Sequence, residues 1–430
     1  MEVPGPRITR DDEPRLFEVL DVVAREMDAP LPDEVYLVAD VNIVVAELGR
    51  FFAGPRRILA MGLGLLSLYS RVQLRSALAH EFAHAVAGDY HQGPLTTMAK
   101  LALLRASQGA QQGGLTAHIS SMITGAIGPT THAWHARSRE AELHADLRAV
   151  AIYGSAVHTE SVVRGVLGSA LFEQYIAREV QPLVALGYRP ARLVDGFTQF
   201  VENEHELGLA DRSLRFLRGL DTHALDTHPA LTDRIRALFA GGERAATVDD
   251  TEASTRVSTL VSDLERRDRE VTDAWAKVQR LAAHTPIEWH DVGERALLPG
   301  IRANASGLAE VVRARLAVAG SDDDTLSLVV ERVRSEGRAS LEPLFEELAP
   351  RLYGFDDPLV ALTGMLLTGA LLARGAALVY VPGIPMRLTT TRGPIDPFRV
   401  VADAHGEGGD PALVTTVQEI LASSTTAHPS

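Results

Sequence analysis

The chain contains no cysteine among its 430 residues. Disulfides and thiolate ligands are therefore excluded, and any metal has to be held by His, Asp or Glu. Aromatic residues are scarce at 5%, while apolar residues reach 46%, so a core has to be built mainly from Leu, Val and Ala. Positive charge is also in deficit: 42 Lys and Arg face 56 Asp and Glu, a formal balance of −14. An acidic surface of this kind argues against nucleic acid and anionic lipid as main partners. Long apolar runs are lacking as well. The longest, "LVALTGMLLTGALLARGAALVYV" from Leu359 to Val381, is broken by Arg374. Its uninterrupted part falls short of the ~20 residues a membrane span needs, so a buried helix followed by a strand is expected. The opening "MEVPGPRITRDDEP" has neither the basic nor the apolar segment of a secretory signal. A cytoplasmic location is the expectation, with peripheral membrane association as the alternative.

A chain of this length suggests more than one domain. Residues 13–28 carry apolar positions at helical spacing. "VYLVAD", "NIVVAEL" and "RRILAMG" read as short strands rich in β-branched residues. The pattern turns helical from Ser67 to Gly88, and again from about Trp134 to Tyr153, where Gly154 stops it. The polar stretch "GGERAATVDDTEAST", residues 241–255, marks the expected linker. It separates a domain over 1–240 from one over 256–430, which reads as helical and ends in a β-hairpin formed by "AALVYV" and "MRLTTT". "PFRVVADA" is expected as a third strand. The fold class implied is α+β, mainly helical.

"LAHEFAHAVAGD", Leu78 to Asp89, holds His80 and His84 with Glu81 between them. Residues four apart on a helix share one face, so the two imidazoles can bind one ion together. Glu81 lies about 100° round from His80 and borders the same face. Zinc suits nitrogen and oxygen ligands, and a catalytic zinc takes three from the protein, leaving a fourth position to water. The pKa of that water falls to about 7. A carboxylate beside it can take the proton and hand it to a leaving amine, which accounts for the order His-Glu-x-x-His. Read alone, the same residues fit an amphipathic helix with two unrelated histidines, so a third ligand is required.

"SREAELHAD", Ser138 to Asp146, supplies the candidate. Glu142 and Asp146 again stand four apart. Glu142 can be the third ligand, and Asp146 can accept a hydrogen bond from the free ring nitrogen of a ligand histidine and fix its tautomer. Ala141, Ala145 and Ala149 form a small-residue stripe that allows close approach of two helices. His144 should face away from the ligand face, and His132 and His135 read as structural or solvent-facing. The strand around Val41 to Ala46 is open to two readings, an exposed edge that pairs with an extended substrate or a plain core strand.

These two segments resemble the signature helices of the HtpX-like and CAAX-prenyl-protease-like zinc metallopeptidases, of the gluzincin class. "LPDEVYLVADVN", "ILAMGLGLLSL" and "THPALTDRIRAL" are similar to further elements of that family, so the resemblance covers about residues 13–240. It implies a gluzincin-type domain with a small sheet beside the HExxH helix. It also implies one Zn2+ on His80, His84 and Glu142, with Glu81 as general base, Asp146 behind the ligands, and a protein or peptide substrate. The family position of the Thr-His-Pro element implies a role for His228, as oxyanion donor or as resting ligand of the metal. The edge-strand position implies substrate contacts at Asn42 and Val44, although this chain has Asn42-Ile43-Val44 where the family has Asn-Ala-Phe. The family's best-known members carry membrane helices between the two metal motifs, and here "LTTMAKLALL" and "LTAHISSMITGAIG" are too short to span a bilayer. The competing reading is a binding or scaffold protein on the same fold, acting through its C-terminal domain.

Overall fold

A computed structural model describes residues 3–48, 56–87, 131–203, 231–240, 242–245, 257–317, 319–352, 355–391 and 393–423. The chain forms two compact units, Met1–Pro286 and Ile287–Ser430.

In the first unit β1 (Arg7–Ile8) leads to α1 (Pro14–Met27). The strands β2 (Glu34–Val38), β3 (Ile43–Leu48) and β4 (Arg56–Gly62) follow. The sheet order is β1-β2-β4-β3. β2 runs parallel to β4, and β3 lies antiparallel to β4 at the edge. Alternation sets the faces: Val35 and Leu37 of β2 are buried while their neighbours are only partly covered. Gly62 and Gly64 mark a close approach. A Cβ on Gly62 would meet the Asp40 carbonyl at 2.3 Å, and one on Gly64 would meet Val41 at 2.8 Å. The chain entering β3 can therefore lie directly against the end of β4.

α1 starts on Pro14 and buries Leu16, Val19, Leu20, Val23 and Met27 along one stripe. That stripe packs on α2 (Arg71–Ala87). α2 is enclosed by α1, β3, α3 (Thr131–Tyr153) and α4 (Ser155–Tyr175). Ala79 and Ala83 on α2 and Ala145 and Ala149 on α3 are buried. Small side chains of this kind let two helices approach closely. A second anchor joins these helices to α1. Glu26 accepts from Arg75 at 2.6 Å and from the Tyr153 hydroxyl, and Arg148 donates to the Met27 carbonyl at 2.8 Å. α5 (Leu193–Glu202) and α6 (Leu231–Phe239) follow.

The first unit does not end at the polar stretch 241–255 expected as a linker. α7 (Leu264–Val278) packs against α5. Arg267, 4% exposed, pairs at 2.7 Å with Glu13, which is fully buried and also accepts from the Ser262 amide. Such a pair has to stay together, because either charge alone in the interior would be strongly unfavourable. The division consequently falls after Pro286.

The second unit contains α8 (Leu298–Leu316), α9 (Asp322–Glu336), α10 (Glu342–Leu348) and α11 (Pro358–Ala373). α11 is the expected apolar helix. Asp357 caps it by accepting from the Leu359 amide at 2.8 Å, and α8, α9 and α12 (Pro397–Ser423) cover it. The strands β5 (Leu378–Val379), β6 (Arg387–Thr390) and β7 (Gly393–Ile395) form an antiparallel sheet in that order. The expected hairpin is thus present, but the domain does not end on it, and "PFRVVADA" is not its third strand. That segment opens α12, because Asp396 accepts from the amides of Phe398 and Arg399 and Pro397 occupies the first helical position. The chain is mainly helical with small sheets, an α+β composition. Among the described residues no helix is long and apolar enough to cross a membrane.

Candidate metal centre

His80 and His84 project from one face of α2, and Glu142 reaches them from α3. His80 Nε2 and His84 Nε2 are 3.3 Å apart. Glu142 Oε2 lies 3.4 Å from His80 Nε2, and Glu142 Oε1 lies 3.6 Å from His84 Nε2. His80 and Glu142 are buried and His84 is partly buried. Ligand atoms of the three residues fall within 4.8 Å of one another and could hold a metal ion.

Asp146, one turn beyond Glu142, is fully buried. Its Oδ1 is 2.9 Å from His80 Nδ1 and 3.0 Å from His158 Nε2. Arg234 on α6 grips it with two bonds, Nε to Oδ2 at 2.9 Å and Nη2 to Oδ1 at 2.6 Å. Burial works against ionisation of Asp146, yet bonds from His158, His80 and Arg234 outweigh it and hold the carboxyl far below its ordinary range. With Asp146 ionised, a neutral His80 would keep its proton on Nδ1, facing Asp146, and leave Nε2, on the side of His84 and Glu142, for a metal. Burial disfavours a charged His80, but the carboxylates of Asp146 and Glu142 prevail and push it up to about 9. The pocket is therefore one that stabilises positive charge at His80.

His158 sits four residues into α4, after a break at Gly154, whose φ of +78° suits a residue without a side chain. It is 1% exposed, and its Nδ1 lies 2.9 Å from the Ser76 hydroxyl on α2. Burial lowers its pKa more than Asp146 raises it, so the ring is neutral. The trio His80, Asp146 and His158 also has the spacing of a metal group. Arg234 already engages both oxygens of Asp146, however, and a second cation there would be pressed against the guanidinium.

Glu81 is partly exposed and feels the charge of Arg234. His144 is exposed, as its helical position requires. Asn42 stands at the entrance to β3. Its amide donates to Asp40 at 2.9 Å and its carbonyl oxygen accepts from Ser169 at 3.3 Å. Val44 pairs with Ala60 and is partly buried on the edge strand. His228, like the side chains of His132 and His135, lies outside the described residues. Sequence reasoning missed His158 and gave Arg234 no role. The available signals were a lone histidine in the helical segment that follows Gly154 and an arginine in "THPALTDRIRAL".

No curated protein and no solved structure matches the chain. The model of peptidase family M48 matches residues 10–240, more than half of its length. That span includes every residue of the centre described above, from His80 on α2 to Arg234 on α6. The chain belongs to peptidase family M48.

Proposed function

We propose that the chain is a zinc-dependent metalloendopeptidase of the gluzincin type, with His80, His84 and Glu142 as the ligands of one zinc. The observation that carries this reading is the spacing of the three donors. A tetrahedral zinc with bonds of ~2.0–2.1 Å separates its ligand atoms by about 3.3–3.4 Å, and the donors here stand 3.3, 3.4 and 3.6 Å apart. A hard, cysteine-free set of two imidazoles and one carboxylate also leaves a position for substrate or water. When bound, zinc would polarise the scissile carbonyl and acidify water.

The chain's own groups supply the rest. Glu81 accepts a proton from the water whose oxygen attacks the carbonyl carbon. It delivers that proton to the amine nitrogen as the C–N bond breaks. β3, the terminal strand of the sheet, packs beside α2 and can receive an extended peptide as an added strand, with Val44 at the contact and Asn42 anchoring the entrance. His228 takes one of two roles, donor to the oxyanion or resting ligand of the metal. The two differ in sign. His228→Ala lowers turnover by about 10²–10³ in the first case and raises it in the second. A scaffold function is the weaker reading, because both the ligand set and the base are retained.

Metal analysis of the purified chain tests the ligand set. Wild type is expected to hold about one zinc per chain, and Glu142→Ala to lose it. Undiminished zinc in the folded variant would remove Glu142 from the set. Zinc-dependent cleavage of casein by wild type tests the activity.

A further inference from the structure

Behind the ligand face lies a buried polar chain that the proposed peptidase chemistry does not use. It runs from Ser76 Oγ to His158 Nδ1 at 2.9 Å, from His158 Nε2 to Asp146 Oδ1 at 3.0 Å, and from there to His80 Nδ1 at 2.9 Å. The directions of these bonds follow from the chemistry of the groups. An ionised carboxylate only accepts, so His158 donates to it from Nε2. The neutral ring then accepts at Nδ1, and the Ser76 hydroxyl donates there. Both nitrogens of His158 are thereby fixed, and its ring lies at 26° to the plane of His80 with centroids 6.0 Å apart.

Ser76, Asp146 and His158 are each 1% exposed or less. Burying such groups is unfavourable unless each is satisfied, and all three could be replaced by apolar side chains if packing were their only role. Their bonds form a chain that ends on one atom, Asp146 Oδ1, and that atom lies 2.9 Å from the ring nitrogen of a ligand. We propose that His158, held by Ser76, is a positioning residue for the metal: it keeps Asp146 oriented so that His80 presents Nε2 to the ion. The inference rests on the zinc reading given above. Without His158, Asp146 is free to turn towards Arg234, its remaining strong partner, and His80 loses the acceptor that sets its tautomer and ring angle.

The test is the zinc dissociation constant of the full chain, measured by chelator competition, with the melting temperature of the metal-free protein as the folding control. His158→Leu is expected to weaken zinc about 10–100-fold, as loss of such a supporting bond typically does. His158→Gln restores an N–H directed at Asp146 and is expected to recover most of the affinity. A packing role alone would not separate the two variants. A folded Leu variant with wild-type affinity would overturn the proposal, as would a Gln variant no better than Leu. If His158→Leu does not fold, Ser76→Ala decides. It is expected to weaken zinc about fivefold, the worth of one ordinary hydrogen bond, and unchanged affinity would overturn the proposal. Wild type that takes up no zinc would instead remove the metal reading, and this inference with it.

Discussion

Asp146 meets four nitrogen atoms on its two oxygens, and they come from three parts of the fold: His80 on α2, His158 on α4 and two nitrogens of Arg234 on α6. Arg234 balances its charge in the interior. Removing one partner of a buried pair strands the other and typically destabilises by ~3–5 kcal/mol. Arg234→Leu is thus expected to lower unfolding stability by that amount, read from urea denaturation of the metal-free chain. A loss near zero would mean that solvent or another cation serves Asp146 equally well. Glu81 is different in kind, because in the proposed reaction it would meet the attacking water and not the scaffold. Glu81→Gln should retain zinc and lose about 10²–10⁴ in turnover, and near-normal cleavage by the metal-loaded variant would remove Glu81 as the base. The local part of this centre was legible in the sequence. His80 with His84, and Glu142 with Asp146, announce themselves by a four-residue spacing on helices. His158 and Arg234 were not, because they meet Asp146 through tertiary packing and no periodicity links them to it.

Among the elements, α5 is capped from outside. Its first three amides, those of Leu193, Val194 and Asp195, donate to Thr272 Oγ1, Asp268 Oδ1 and Asp268 Oδ2 of α7 at 2.8, 3.0 and 2.7 Å. Burial raises the Asp268 carboxyl to about 6, although the two amides and Thr272 pull the other way. The folded value therefore lies above the ordinary carboxyl value of 3.8. A raised value means that this group favours folding most below pH ~4, and that the contribution is lost as pH rises through about 6. Asp268→Asn keeps an acceptor and removes the titration. The stability of wild type relative to this variant is expected to fall between pH 4 and 7, as measured by thermal unfolding; a rising difference would contradict the burial of Asp268 as described. No local pattern signals a cap supplied by a helix so distant in sequence. α2 was legible by its motif more than by its amphipathicity, since it is covered on several sides. "PFRVVADA" misleads in the opposite direction: its paired valines suggest a strand, while Asp396 and Pro397 dictate a helix start.

At the scale of the molecule, the family match stops at residue 240, but the first compact unit continues to Pro286. The piece between carries Arg267, Asp268 and Thr272, so truncation at 240 would strand Glu13 in the interior and uncap α5. A chain of residues 1–286 is expected to unfold cooperatively and bind zinc, and one of residues 1–240 to melt at a distinctly lower temperature. Equal melting of the two would show that α7 is dispensable. The fold class was readable from composition and periodicity, whereas the boundary was not, because a polar stretch reports solvent exposure and not where contacts end. The break at Gly154 bears on the order of assembly. Asp146 and His158 are 12 residues apart, whereas His80 precedes Asp146 by 66 (146 − 80). Closing the longer loop is less favourable by roughly 1.5 kcal/mol of chain entropy. The α3–α4 hairpin can therefore set its carboxylate against His158 while α2 is still searching. On this ordering α2 docks last, against a carboxylate that its neighbours have already aimed.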